Sequence, residues 1–97
     1  MFVSVILDMG GIDSAKKVST ILSRYGFNKV QRACWESKVI DGNQLLLLKR
    51  ELDSVTDYYD IIRIYQFPIN NKFVITELCR KKWKKMILSD KNKKGIL

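Results

Sequence analysis

Residues 61–67, IIRIYQF, constrain the fold more than any other stretch of this chain. A seven-residue run dominated by isoleucines and aromatics is too short for an ordinary buried helix and predicts a strand, ended by Pro68. Alternate side chains of a strand face opposite ways, so Ile62 and Ile64 point to one side and Ile61, Arg63, Tyr65 and Phe67 to the other. A sheet covered by helices on one side needs only one apolar face. Here the second face is also largely apolar, so it too requires a cover, most simply a partner sheet. At 97 residues the chain forms one domain, large enough for a core and small enough to gain from dimerisation.

The helices for the first face are legible on either side of residues 28–40. FVSVILDMGG opens the chain as a strand of Phe2, Val3, Val5, Ile6 and Leu7, with Asp8 at its end and Met9, Gly10 and Gly11 in the turn. Asp13 or Ser14 is placed to cap a helix running to about Tyr25; Ala15, Val18, Ile21, Leu22 and Tyr25 form its stripe and Gly26 closes it. NKVQRACWESKVI reads as extended, with Val30, Trp35, Val39 and Ile40 as core or interface candidates. Its alternation fails around Gln31 to Ala33, which predicts a bend, a bulge or two short strands. After an Asp41-Gly42-Asn43 turn, QLLLLKRELDSV is helical with Leu45, Leu48, Leu52 and Val55 buried, and Asp57 to Asp60 form a polar hinge. Beyond the strand at 61–67, Asn70-Asn71 turns the chain into KFVITELC, another strand. KKWKKMILSD reads either as a helix striped by Trp83, Met86 and Ile87 or as a short strand, and the last residues as mobile. This order predicts an α+β, ferredoxin-like two-layer sandwich: two helices on one face of an antiparallel or mixed sheet. The expected division is a domain over 1–79 and a partly mobile basic extension over 80–97.

Composition narrows the chemistry. There is no histidine, which removes His-based acid–base catalysis, Ser-His and Cys-His nucleophile pairs and His-containing zinc sites. A metal here would be a hard ion on carboxylates, magnesium or manganese. Cys34 and Cys79 lie far apart without CxxC spacing, as expected of reduced, buried thiols in a cytoplasmic protein. No apolar run approaches membrane-spanning length and no basic segment precedes Phe2, so neither a membrane partner nor a secretory signal is expected. The net charge of +8 is uneven: residues 80–97 hold eight basic residues against Asp90, the rest ten against nine. That asymmetry fits a polyanionic partner or a solvated tail that aids solubility. Lys16, Lys17 and Arg24 are either surface residues or phosphate contacts. Asp8 sits where open α/β layers concentrate chemistry, at the carboxyl end of a strand; the plainer alternative is that it accepts hydrogen bonds from its own turn.

Four pieces in this order match a family: LDMGG, the YG that closes the first helix, VQRACWES and DIIRIYQFP. Over residues 2–68 the chain resembles the small CRISPR-associated protein of the spacer-acquisition machinery, a family known as CRISPR-associated endoribonucleases and the partner of the CRISPR integrase. The resemblance implies a ferredoxin-like homodimer with sheets packed face to face through Ile61, Arg63, Tyr65 and Phe67, and a C-terminal strand exchanged between protomers. It implies that Asp8 and its symmetry mate share a magnesium or manganese ion as catalytic residues of a phosphodiester hydrolase acting on RNA or DNA. It also implies a nucleic-acid surface, for which Lys16, Lys17, Arg24, Lys29, Arg80, Lys81, Lys82, Lys84 and Lys85 are the candidates. This chain departs from the family pattern at Leu7, where tyrosine is usual, and at Met9 to Ile12, where acidic residues often follow. Lysines 16, 17 and 29 stand where basic residues are usual, without arginine's forked phosphate geometry.

Three functions compete under this reading: a non-catalytic DNA-binding scaffold of the integrase complex, a magnesium-dependent endonuclease, and a ferredoxin-like ribonuclease of toxin type. An RRM-like RNA binder is disfavoured because no strand carries the aromatic-rich RNP signature.

Overall fold

The computed structural model describes residues 1–69 and 72–89. The elements are β1 (Phe2–Asp8), α1 (Ile12–Arg24), β2 (Asn28–Gln31), β3 (Cys34–Ser37), α2 (Gly42–Val55), β4 (Ile61–Ile69), β5 (Lys72–Cys79) and β6 (Lys82–Ser89). They build one six-stranded sheet of order β2-β3-β1-β4-β5-β6, antiparallel at every pairing. The first four strands and two helices form the ferredoxin-like β-α-β-β-α-β unit, and the β5–β6 hairpin widens its sheet.

Both helices lie on one face, where the buried side chains meet. Val3, Val5, Trp35, Ile62, Ile64 and Leu78 from the sheet pack against Val18, Ile21, Leu22, Leu45, Leu48 and Leu52. The apolar stripes of the two helices therefore fall where their spacing predicts.

The helix ends differ from expectation. Neither Asp13 nor Ser14 caps α1; its N-cap is Gly11 in extended backbone, without a side-chain cap, and Ser14 lies inside the first turn. Asp41-Gly42-Asn43 is not a turn but the start of α2. The Gln44 amide donates to Asp41 Oδ1 at 2.8 Å and the Asp41 amide to Gln44 Oε1 at 3.0 Å, a reciprocal capping box. Gly26, at φ 84°, turns the chain out of α1 through the left-handed region that glycine enters without strain.

Residues 28–37 form two short strands with a bulge between Lys29 and Gln31, one of the forms expected. Val30 and Val39 are not core: they are 48 % and 79 % exposed. Pro68 does not end β4, which continues to Ile69 with its pairing to β5 irregular between Gln66 and Ile69. A proline is tolerated there because a local bulge needs no amide from it. Of the two readings of residues 81–90, the strand holds: Arg80 and Lys81, at φ 52° and 63°, form a tight turn that folds β6 back onto β5 of its own chain. The Asn70-Asn71 turn and residues 90–97 lie outside the described residues.

Candidate functional site

Among the described residues nothing covers the sheet face away from the helices. Across β1 and β4 it presents Phe2 opposite Phe67, Ser4 opposite Tyr65, Ile6 opposite Arg63, and Asp8 opposite Ile61. Thus Ile61, Arg63, Tyr65 and Phe67 do share one face, and no helix among the described residues lies on it. Phe67 is the hub of its aromatic end, with ring centroids 5.7 Å from Phe2, 6.3 Å from Tyr65 and 5.3 Å from Phe73. Phe73, Ile6, Met86 and Leu88 are 40–55 % exposed, which is costly for a contiguous apolar surface in water. Arg63 is held in place there, its Nε donating to Glu77 at 3.1 Å and its guanidinium to the Tyr65 hydroxyl at 3.3 Å.

Asp8 closes the other end of this face. It is exposed, and its carboxylate accepts no hydrogen bond and forms no ion pair among the described residues. The plainer role foreseen for it belongs instead to Asp60. That side chain, fully buried, accepts from the Gly10 amide at 2.8 Å and the Ser14 hydroxyl at 3.0 Å, and through Oδ2 from the Asp57 amide at 2.9 Å. Burial pushes the Asp60 carboxyl up, but the amides of Asp57 and Gly10 and the Ser14 hydroxyl outweigh it and hold it below the usual carboxylate range. Gly10 fits because a Cβ there would meet Tyr59 Cβ at 2.7 Å. Asp60 and Gly10 thereby set the loop that leaves Asp8. Sequence reasoning passed over Asp60; its position ahead of β4 in DIIRIYQF was the available signal.

A divalent ion requires several oxygen ligands, and no group of three or more Asp, Glu, His or Cys capable of holding one occurs among the described residues. Asp8 is a suitable hard donor, but a single chain contributes one carboxylate. A metal site at Asp8 fits these residues only if a second chain supplies the other.

The basic candidates fall into three places. Lys16, Lys17 and Arg24 line a shallow groove between α1 and α2 with Thr20, Glu51 and Ser54. Arg24 is partly spent there, donating to Glu51 at 2.8 Å, while the Tyr25 hydroxyl donates to the other Glu51 oxygen. The Tyr25 hydroxyl and then Arg24 hold Glu51 below its ordinary carboxylate range. Lys29 stands on β2 at one sheet edge, and Lys82, Lys84 and Lys85 on β6 at the other. Five strand spacings separate these edges, about 24 Å at 4.8 Å each. Lys82 and Lys84 share the open face with Cys79 and Glu77, whereas Lys85 lies with Thr76 on the helix side. Arg80 stacks 5.9 Å from the centre of the Tyr58 ring. Lys81 is structural: it pairs with Asp53 at 3.1 Å and donates to the Asp53 and Thr56 carbonyls, satisfying the C-terminus of α2.

Strand order and the two helices define a ferredoxin-like protein with one helix-free sheet face. The family described as CRISPR associated protein Cas2 matches residues 1–86, which reaches into β6, and the chain belongs to this family. Its role is in CRISPR adaptation. No curated protein and no solved structure matches the chain. No helix among the described residues is long and apolar enough to cross a membrane.

Proposed function

We propose that the chain serves spacer acquisition as a homodimer, its open sheet faces packed together, that binds nucleic acid beside the CRISPR integrase and hydrolyses phosphodiester bonds through paired Asp8 carboxylates. The observation that supports this is the setting of Asp8: an exposed carboxylate without a partner among the described residues, at the end of a bare apolar face. Pairing two such faces buries Phe67, Phe73 and Leu88 and brings in the second carboxylate that one chain lacks. Two facing carboxylates repel unless a counter-charge lies between them. Asp8 from each copy would hold magnesium, which when bound activates water and steadies charge on the phosphodiester. Lys16 and Lys17 on α1 and Lys29 at the β2 edge engage the polyanion backbone without reading sequence. The loop set by Asp60 keeps each Asp8 in position.

The test is hydrolysis of duplex DNA and single-stranded RNA across a magnesium titration, comparing wild type with Asp8→Ala after light scattering has shown both to be dimers. Metal-dependent cleavage that falls at least a hundredfold in the variant is the expected result. Equal cleavage by both proteins rules Asp8 out. Binding without cleavage by either leaves the scaffold reading in its place.

A further inference from the structure

On the helix side, between α2 and the β5–β6 hairpin, lies a cavity of about 350 Å³. This is within the range of small-ligand sites, roughly 300–1,000 Å³. Leu46 and Trp83 give it an apolar wall, and Lys49, Arg50, Lys84 and Lys85 bring four positive charges to it. The acid beside them, Asp53, is already held by Lys81 at 3.1 Å. Thr76 also lines the cavity, and its buried hydroxyl has no hydrogen-bond partner among the described residues. The Lys49 ammonium lies 5.9 Å from the centre of the Trp83 ring, within cation–π range.

Four cations around one small space repel each other unless something neutralises them. Burial, and then the charge of Lys85, push the Lys49 ammonium below its ordinary value, so its charge is under-compensated. A carboxylate ligand would balance one of the four charges; a phosphate dianion balances two and offers several acceptor oxygens. The apolar wall asks in addition for a flat or aliphatic body, and an indole at the edge of a cationic groove is the usual platform for a base.

We propose that this cavity binds a nucleotide, its phosphate among Lys49, Arg50 and Lys85 and its base against Trp83 and Leu46. A phosphate drawing Lys49 away from Trp83 uncovers the indole for the base. Binding here needs neither Asp8 nor a second copy of the chain. The nucleotide is either free in solution or the phosphorylated end of a single strand, and the two share this chemistry.

Isothermal titration of the full-length protein with adenosine monophosphate, adenosine, inorganic phosphate and a 5′-phosphorylated single-stranded oligonucleotide tests the proposal. Trp83 emission serves as a local readout, since Trp35 is buried in the core. Saturable binding of the monophosphate, with adenosine and phosphate each at least tenfold weaker, is expected. Lys49→Gln with Lys85→Gln should weaken it at least tenfold, and Lys85→Arg should retain it, with circular dichroism showing each variant folded. Tighter binding of the oligonucleotide assigns the site to a strand end; equal or weaker binding assigns it to the free nucleotide. No saturable response to either ligand overturns the inference. Phosphate binding as tightly as the monophosphate, or binding that survives the double lysine change, overturns it too. Cleavage of duplex or RNA without nucleotide binding would refute this site and leave the Asp8 proposal standing; nucleotide binding without cleavage would do the reverse.

Discussion

Replacing Asp60 by alanine withdraws the acceptor for three donors at once: the Gly10 and Asp57 amides and the Ser14 hydroxyl. A buried donor left without a partner costs roughly 1–3 kcal/mol. The three donors are only partly buried and water can reach some of them, so about 2–4 kcal/mol in total is expected for Asp60→Ala. Asp60→Asn is milder. Its one oxygen still serves Gly10 and Ser14, but its amide nitrogen then faces the Asp57 N–H, donor against donor, for about 1–2 kcal/mol. The pH dependence follows from direction. Asp60 is held below the ordinary carboxylate range in the folded chain, so its contribution is complete above the unfolded-state value. It is lost as pH falls through the lower, folded-state value, so the gap between wild type and Asp60→Asn should close below about pH 4. Urea unfolding followed by far-ultraviolet circular dichroism measures both, at one protein concentration because self-association adds to stability. A gap under about 0.5 kcal/mol at pH 7, within the ordinary scatter of surface changes, would refute the assignment of Asp60 as the loop anchor. So would a gap of constant size down to pH 3.

Two further outcomes follow from the same geometry. Gly10→Ala drives a methyl group into Tyr59, whereas Gly11→Ala meets nothing within 4 Å. Thermal melts should therefore show a loss of about 1–3 kcal/mol for the first and near-neutrality for the second. Phe67→Glu puts a charge onto the open sheet face among the rings of Phe2, Tyr65 and Phe73, which no desolvated interface accepts unpaired. Under the proposed pairing of open faces, gel filtration with light scattering should show a dimeric wild type and a monomeric variant, and a variant that stays dimeric places the interface elsewhere.

What could be read in the sequence was whatever depends on short spacing. Leu45, Leu48 and Leu52 recur at helical period and are buried; Ile62 and Ile64 alternate with Ile61, Arg63 and Tyr65 and fall on opposite faces. Asp8 ends its strand as Phe2 to Leu7 indicated. What could not be read depends on distant partners or on local ambiguity. Asp60 looked like a hinge residue because its partners Gly10 and Ser14 lie 50 and 46 positions away. Asp41-Gly42-Asn43 has turn composition, and only the reciprocal bond with Gln44 makes it a helix start. Lys81 looked like part of a basic tail, yet α2 consumes it through Asp53 and two carbonyls. A charge count treats such a lysine and a free one alike.

The placement of β1 has a consequence for how the chain is made. β1, synthesised before the other five strands of the sheet, lies between β3 and β4, and Phe67, the partner of its Phe2, lies 65 positions further along the chain. Contacts so far apart in sequence form slowly, since a long loop must close before any of them is rewarded. Until β4 has been synthesised, Val3, Val5 and Ile6 have one neighbouring strand at most. Completion of the sheet core therefore waits for residues 61–67, the stretch whose two-sided pattern constrains the fold most.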